Sequence, residues 1–179
     1  ARSHTPKVQE DGVIFYAEYE GETLNLVGSL NHWDNKGIAM SKNAQGIFQV
    51  KVSLAAGVYE YKFFPVSGSW DDGFKDTYNQ REAAGNSVVI VPGIYITTAS
   101  ELQIGKETTL HTTYLNKEGE EVAATPIYTL KEEVPGVFLE GEVLKVHSEA
   151  KENDTVTVLA TYGTYESEKT FTLVETMYT

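Results

Sequence analysis

The chain contains no cysteine, which excludes disulfides, zinc–thiolate sites and a thiol nucleophile. Basic residues are scarce: 14 Lys and Arg stand against 26 Asp and Glu, for a formal net charge of -12. Phosphate backbones are bound by basic patches, so nucleic acid is excluded as a partner. Anionic membrane surfaces are excluded for the same reason. No apolar run is long enough to cross a bilayer, and no secretory leader pattern is present. The opening Ala1-Arg2-Ser3-His4 reads as a cloning remnant or a processed end, and the chain as a piece of something larger. A Gly-rich phosphate loop is missing, and no Ser-His-Asp set falls into one site. His4, His32, His111 and His147 are scattered without metal-ligand spacing. Neither a metal nor a cofactor is expected, and the chain is not read as an enzyme. Glycoside hydrolysis needs two acids at a set separation in a cleft; the many acids here read as surface charge.

No amphipathic helix is found either. Instead, short alternating runs rich in Val, Ile, Thr, Tyr and Phe recur, separated by Gly, Asn and Asp. Val13–Tyr19, Leu24–Gly28, Phe48–Leu54, Val58–Phe64 and Ser87–Val91 read as strands of a first half. In the fourth, Tyr59, Tyr61 and Phe63 share one face, and the more polar set with Glu60 and Lys62 meets solvent. Pro92-Gly93 breaks the pattern and marks a boundary. Beyond it Thr108–Tyr114, Ile127–Leu130, Val143–His147, Thr155–Tyr162 and Glu168–Val174 read as strands. In Thr155–Tyr162 the alternation sends Val156, Val158, Ala160 and Tyr162 to the core. Each half has roughly the length of one immunoglobulin-like sandwich. The expectation is an all-β chain of two tandem immunoglobulin-like β-sandwiches, with domains at 1–92 and 93–179.

Both tryptophans, Trp33 and Trp70, lie in polar, turn-like segments. Such an indole is either folded back over the core or offered to a ligand. A sugar ring has an apolar face of C–H groups and a rim of hydroxyls. An indole stacks on the face, and polar side chains bond the rim. Two indoles, Lys62 and Asn86 suit a neutral glucan. Taken singly, each has an ordinary alternative. Trp33 can cap the core, Lys62 can pair with Glu60 at the surface, and Asn86 can bond its own backbone in a turn. His32 reads as a turn residue. Asp71, Asp72 and Asp76 read as a solvated acidic loop in preference to calcium ligands.

Four segments carry a family resemblance: Gly28-Ser29-Leu30-Asn31-His32-Trp33, Gly57–Phe63, Gly68-Ser69-Trp70, and Asn86 before the run to Val91. Together, in this order and spacing, Gly12 to Val91 resembles carbohydrate-binding module family 48. That family includes the glycogen-binding domains of AMP-activated kinase β-subunits and the N-terminal modules of isoamylases, pullulanases and branching enzymes. The resemblance implies that Trp33 and Trp70 platform glucose units while Lys62 and Asn86 bond their hydroxyls. Leu30 replaces the usual Phe of the first turn. The Asp-Pro after the second tryptophan is absent, and the loop there offers Tyr78 as a substitute platform. Glu82 stands where the glycogen-binding type carries a leucine that threads a cyclic glucan, which bears against ring-shaped ligands and not against linear ones.

The second half resembles bacterial group-2 immunoglobulin-like domains, on Thr155–Tyr162 and Thr170-Phe171-Thr172-Leu173. These resemblances imply a non-catalytic binder of starch- or glycogen-type α-glucan or maltooligosaccharide, secreted or at a bacterial cell surface. It would bring an attached or partner amylolytic enzyme to its substrate. The alternative is an early-set module that packs on a glycoside hydrolase catalytic domain without binding sugar itself. A third reading gives the role to the immunoglobulin-like half, as adhesion module or spacer.

Overall fold

A computed structural model describes residues 4–175. Its elements are β-strands and one 3₁₀ turn, an all-β sandwich fold. The chain divides into two compact units, Ala1–Val91 with Lys117–Gly119, and Pro92–Asn116 with Glu120–Thr179.

The first unit packs two antiparallel sheets. One runs Lys7–Gln9, Gly12–Ala17, Phe48–Val52, Ser41–Lys42 in spatial order. The other runs Ile38–Ala39, Asn25–Gly28, Gly57–Phe64, Asn86–Val91, Glu82–Ala83. Alternate residues of each strand supply the core: Val13, Phe15 and Ala17 meet Leu26, Tyr61, Phe63, Val89 and Val91. Phe15 and Tyr61 meet edge to face at 4.9 Å between ring centres, both fully buried. Burying such rings is the largest single source of stability in a sandwich this small.

Five expected strands of this half are present, with ends shifted by one or two residues. The strands Lys7–Gln9, Ile38–Ala39, Ser41–Lys42 and Glu82–Ala83 were not anticipated. At two or three residues each, they are too short to show a period.

In the second unit, Glu101–Gln103, Tyr165–Val174, Thr155–Tyr162 and Ile127–Leu130 form one sheet. Two three-stranded sheets complete it. Thr108–Tyr114, expected as one strand, is two. Glu107–Thr109 pairs with Val143–Val146, whereas Thr112–Leu115 pairs with Gly93–Ile96 and Glu121–Ala124. The break falls at Leu110, which is buried and bonds the Glu142 carbonyl with its N–H at 2.7 Å. Val156, Val158 and Ala160 are fully buried, as the alternation requires. Tyr162 is not: it is 37% exposed. It is the last strand residue before the Gly163-Thr164 turn and lies past the end of the core, against Tyr114 at 5.4 Å.

The acidic loop also departs from expectation. Asp71 and Asp72 are exposed, but Asp76 is only 4% exposed. Its carboxylate accepts the Tyr61 hydroxyl at 2.7 Å and the Tyr78 N–H at 3.1 Å. Its own N–H donates to Ser87 Oγ at 2.8 Å. The Tyr61 hydroxyl in turn accepts from Asn79 Nδ2 at 2.9 Å. Asp76 therefore anchors the loop after Trp70 to the core instead of facing solvent. Burial pushes its carboxyl above the usual range, partly offset by these hydrogen bonds and by His4. A carboxyl raised in the folded state binds its proton more tightly there than in the unfolded chain. Its contribution is therefore intact below the unfolded value of 3.8 and is lost as pH rises through the folded value. Denaturant titrations of wild type and Asp76→Asn, in steps from about pH 3.5 to about pH 7, should show the variant gaining on wild type as pH rises. A difference that stays flat over this range would contradict the raised carboxyl.

Candidate functional site

The strand Gly57–Phe64 carries the candidate site residue Lys62 on the face turned away from the core. Its odd-numbered residues Tyr61 and Phe63 are buried, and Glu60 and Lys62 point the other way. Lys62 lies opposite Val27, and Glu60 opposite Val88. One step past the last ladder pair, Tyr61 with Ser87, the register brings Asn86 beside Lys62. Asn86 Nδ2 donates to Glu60 Oε1 at 3.0 Å. The Asn86 side chain thus bonds across the sheet, not to its own backbone. Lys62 is half-buried and makes no ion pair with Glu60; among the described residues nothing pairs with its ammonium.

Trp33 is carried by a tightly tied turn. Ser29–Asn31 forms the 3₁₀ turn, closed by Asn31 Oδ1 accepting the Gly28 N–H at 3.1 Å and by the Trp33 N–H donating to the Gly28 carbonyl at 2.8 Å. His32 and Trp33 both adopt left-handed backbone, at φ 58° and 56°. Each such residue costs about 1–3 kcal/mol and persists only where its surroundings fix it. Gly28 provides the fixing. A Cβ there would sit 2.1 Å from the Glu60 carbonyl oxygen and 2.8 Å from Tyr61 Cα. Only glycine lets the turn approach the central strand so closely. Ser29 Oγ then accepts the Glu60 N–H at 2.9 Å. The turn is thereby bonded to the strand that bears Lys62. Trp33 itself is half-buried.

Trp70 rides on a closed loop. Phe63 and Phe74 exchange N–H to carbonyl bonds, both 2.9 Å, so residues 64–73 return to the strand they left. Trp70 is 54% exposed and meets Phe64 edge to face at 5.4 Å. Gly73 lies on the same ring: a Cβ there would come 2.2 Å from Phe64 Cε1. Phe64, on the outer face with Glu60 and Lys62, is buried by this loop. The two tryptophan loops are also bonded to each other. The Gly68 N–H donates to the Asn35 carbonyl at 2.8 Å, and Ser67 Oγ to the Lys36 carbonyl at 2.7 Å.

The structure therefore brings Lys62 and Asn86 together on one sheet face and ties the Trp33 and Trp70 loops to that sheet and to each other. Tyr78 lies elsewhere. Its hydroxyl donates to Glu18 Oε1 at 2.7 Å, and its ring meets His4 at 4.8 Å. Glu18 follows the strand Gly12–Ala17 of the other sheet, so Tyr78 bridges towards that sheet. Glu82 is taken up in an ion pair with Lys75. Sequence reading missed Glu60 as a partner of Asn86 and Phe64 as the support of Trp70. Their shared parity with Lys62 along the strand was the available signal.

Residues 12–92 match the family model described as the glycogen recognition site of AMP-activated protein kinase. The glycogen-recognition match covers all four segments that build the face and supports carbohydrate binding, with a glucan polysaccharide as the implied ligand. It is a match to a binding module and leaves the second unit uncovered. Nothing among curated proteins matches the chain. Among solved structures, the adhesin InvE of Yersinia pseudotuberculosis is similar at 12% identity and a TM-score of 0.32 over 91% of this chain. The chain spans about half, 54%, of that adhesin chain. A chimeric titin Z1Z2 tandem is similar at 10% identity and a TM-score of 0.29, with 94% of this chain and 98% of that one covered. These likenesses carry no argument about function. Among the described residues no helix is long and apolar enough to cross a membrane.

The Gly28 contact gives a direct test of how the face is built. Gly28→Ala should cost about 2 kcal/mol or more, because backbone on both sides must move. It should also release His32 and Trp33 from their left-handed conformation. Urea denaturation reads the first effect and Trp33 fluorescence in a Trp70→Phe background the second. A variant as stable as wild type would show that the turn has room to shift.

Proposed function

We propose that the first unit binds linear α-1,4-linked glucan of the starch or glycogen type on the outer face of its five-stranded sheet, without catalysis. The observation that carries this reading is a lysine ammonium with no protein partner beside Asn86, on a sheet to which both tryptophan loops are tied. Lys62 is half-buried within the segment matched to a glycogen recognition site.

In this reading a glucose ring lies on Trp70, with Trp33 as a second platform. Lys62 donates to ring hydroxyls and Asn86 bonds a neighbouring one. By analogy with bases stacked on aromatic side chains, each indole contributes about 1–3 kcal/mol. The ligand carries no charge, so the net charge of -12 does not oppose it. Tyr78, with its hydroxyl held by Glu18, leans towards the other sheet and takes no part in this arrangement. Tethering by such a site raises the local substrate concentration of an attached or partner amylolytic enzyme. The second half of the chain, residues 93–179, acts as an immunoglobulin-like spacer in a secreted or cell-surface protein.

A module that merely packs on a catalytic domain would have that domain cover the Trp70 ring, whereas a binder keeps the ring open to sugar. Calorimetric titration with maltoheptaose tests this. The chain should bind in the micromolar-to-millimolar range. Trp70→Ala should weaken binding about 5-fold or more, and the Trp33→Ala, Trp70→Ala pair should abolish it. No heat from the intact chain, together with unhindered migration through a starch-containing native gel, would leave the packing module as the better reading.

A further inference from the structure

We propose that Glu60 is a positioning residue of this face: its carboxylate fixes which way the Asn86 amide points, and so which hydroxyl chemistry the face accepts. The inference rests on the proposed glucan reading for its consequence, but not for its geometry. Asn86 has two chemically opposite ends, a carbonyl oxygen that accepts and an NH2 that donates. An unrestrained amide on an open face presents either. Ionised Glu60 only accepts, so it can face only the NH2 end. The bond Asn86 Nδ2 to Glu60 Oε1, at 3.0 Å, satisfies that requirement.

Glu60 is itself held. Its N–H donates to Ser29 Oγ at 2.9 Å and its carbonyl faces the same hydroxyl at 3.4 Å. The backbone bearing the carboxylate is therefore fixed by the turn that carries Trp33. The amide NH2 is turned to Glu60, which leaves Oδ1 as an acceptor on the strand next to the one that carries Lys62, whose ammonium is a donor only. Sugar hydroxyls both donate and accept. An acceptor and a donor side by side match two neighbouring hydroxyls of one neutral ring, one donating to Asn86 Oδ1 and the other accepting from Lys62. The carboxylate adds a selection: a phosphate or carboxylate substituent on the ring would approach the Glu60 charge and be repelled by it. The class of ligand is thus an unsubstituted neutral glucan.

Two substitutions separate positioning from simple loss of structure. Glu60→Ala removes the acceptor and frees the amide. Glu60→Gln keeps a hydrogen bond but can offer either end, so it lets Asn86 turn over. In the ligand-free chain, the Asn86 side-chain NH2 should give one sharp, exchange-protected pair of ¹⁵N–¹H resonances. That protection should be kept in part in Glu60→Gln and lost in Glu60→Ala, with backbone resonances of the sheet unmoved. Maltoheptaose titration should show Glu60→Ala weakened about 5- to 10-fold, like Asn86→Ala. The double variant should be no weaker than either single one, because the two residues act as one unit. Glu60→Gln should lose about 2-fold at most. An unprotected amide in wild type, or losses that add in the double variant, would overturn the proposal. If the wild-type chain binds no maltoheptaose, the glucan reading fails, and the amide resonances still decide whether Glu60 fixes Asn86.

Discussion

Neighbouring side chains of a strand point to opposite faces, and Gly57–Phe64 uses that alternation to serve a core and the candidate face at once. Tyr61 and Phe63 are locked into the sandwich interior. Because they cannot move, Glu60, Lys62 and Phe64 are held at fixed spacing on the other side. Everything else at the face is hung from this strand. The Trp33 turn reaches it through Gly28 and Ser29, the Trp70 loop through Phe63 and Phe64, and Asn86 through the ladder and Glu60. A one-residue slip in register would exchange Lys62 for Tyr61 and destroy core and face together.

That dependence explains the care spent on the loop between Trp70 and Asn86. A loop bearing an exposed indole gains little from burying it and needs anchors elsewhere. Three are present. The Phe63–Phe74 bridge closes it, Gly73 lets it lie on the Phe64 ring, and Asp76 ties it to the Tyr61 hydroxyl and to Ser87. The third anchor puts a carboxylate in the interior, where burial raises its pKa. Hydrogen bonds from Tyr61 and the Tyr78 N–H offset only part of that cost. The loop that bears Trp70 is thus held partly by an interaction that destabilises the unit as pH rises.

Much of this was legible in the sequence because strand alternation is strong where strands are long. Val58–Phe64 and Thr155–Tyr162 declared their faces directly. The alternation failed where a strand leaves one sheet for another, as at Leu110 between Glu107–Thr109 and Thr112–Leu115, since both pieces keep the same local composition. It failed again at Tyr162, because alternation gives a side and not a depth. The turn that bears Trp33 showed its glycine and its polar residues. It did not show that the glycine is needed for a 2.1 Å approach and not for a positive φ. Long-range partners left little trace: nothing in the order of residues says that Asp76 meets Tyr61, and parity along the strand put Glu60 on the right face without naming Asn86.

Asp76 and Glu60 show why composition misleads at such a face. A chain with a formal charge of -12 invites the reading that each acid is surface charge. Two of those acids instead have opposite structural tasks on either side of one sheet. Asp76 faces inward and accepts donors that would otherwise be buried without partners. Glu60 faces outward and accepts one donor so that another group's acceptor is left free. Both act through the same property, that an ionised carboxylate cannot donate. In the interior this satisfies Tyr61. On the face it removes the ambiguity of an amide, and a weak, two-ended side chain becomes a directional one. On the proposed glucan reading, selectivity for a neutral ring needs no enclosed pocket, only a sheet face on which that amide has one way to point.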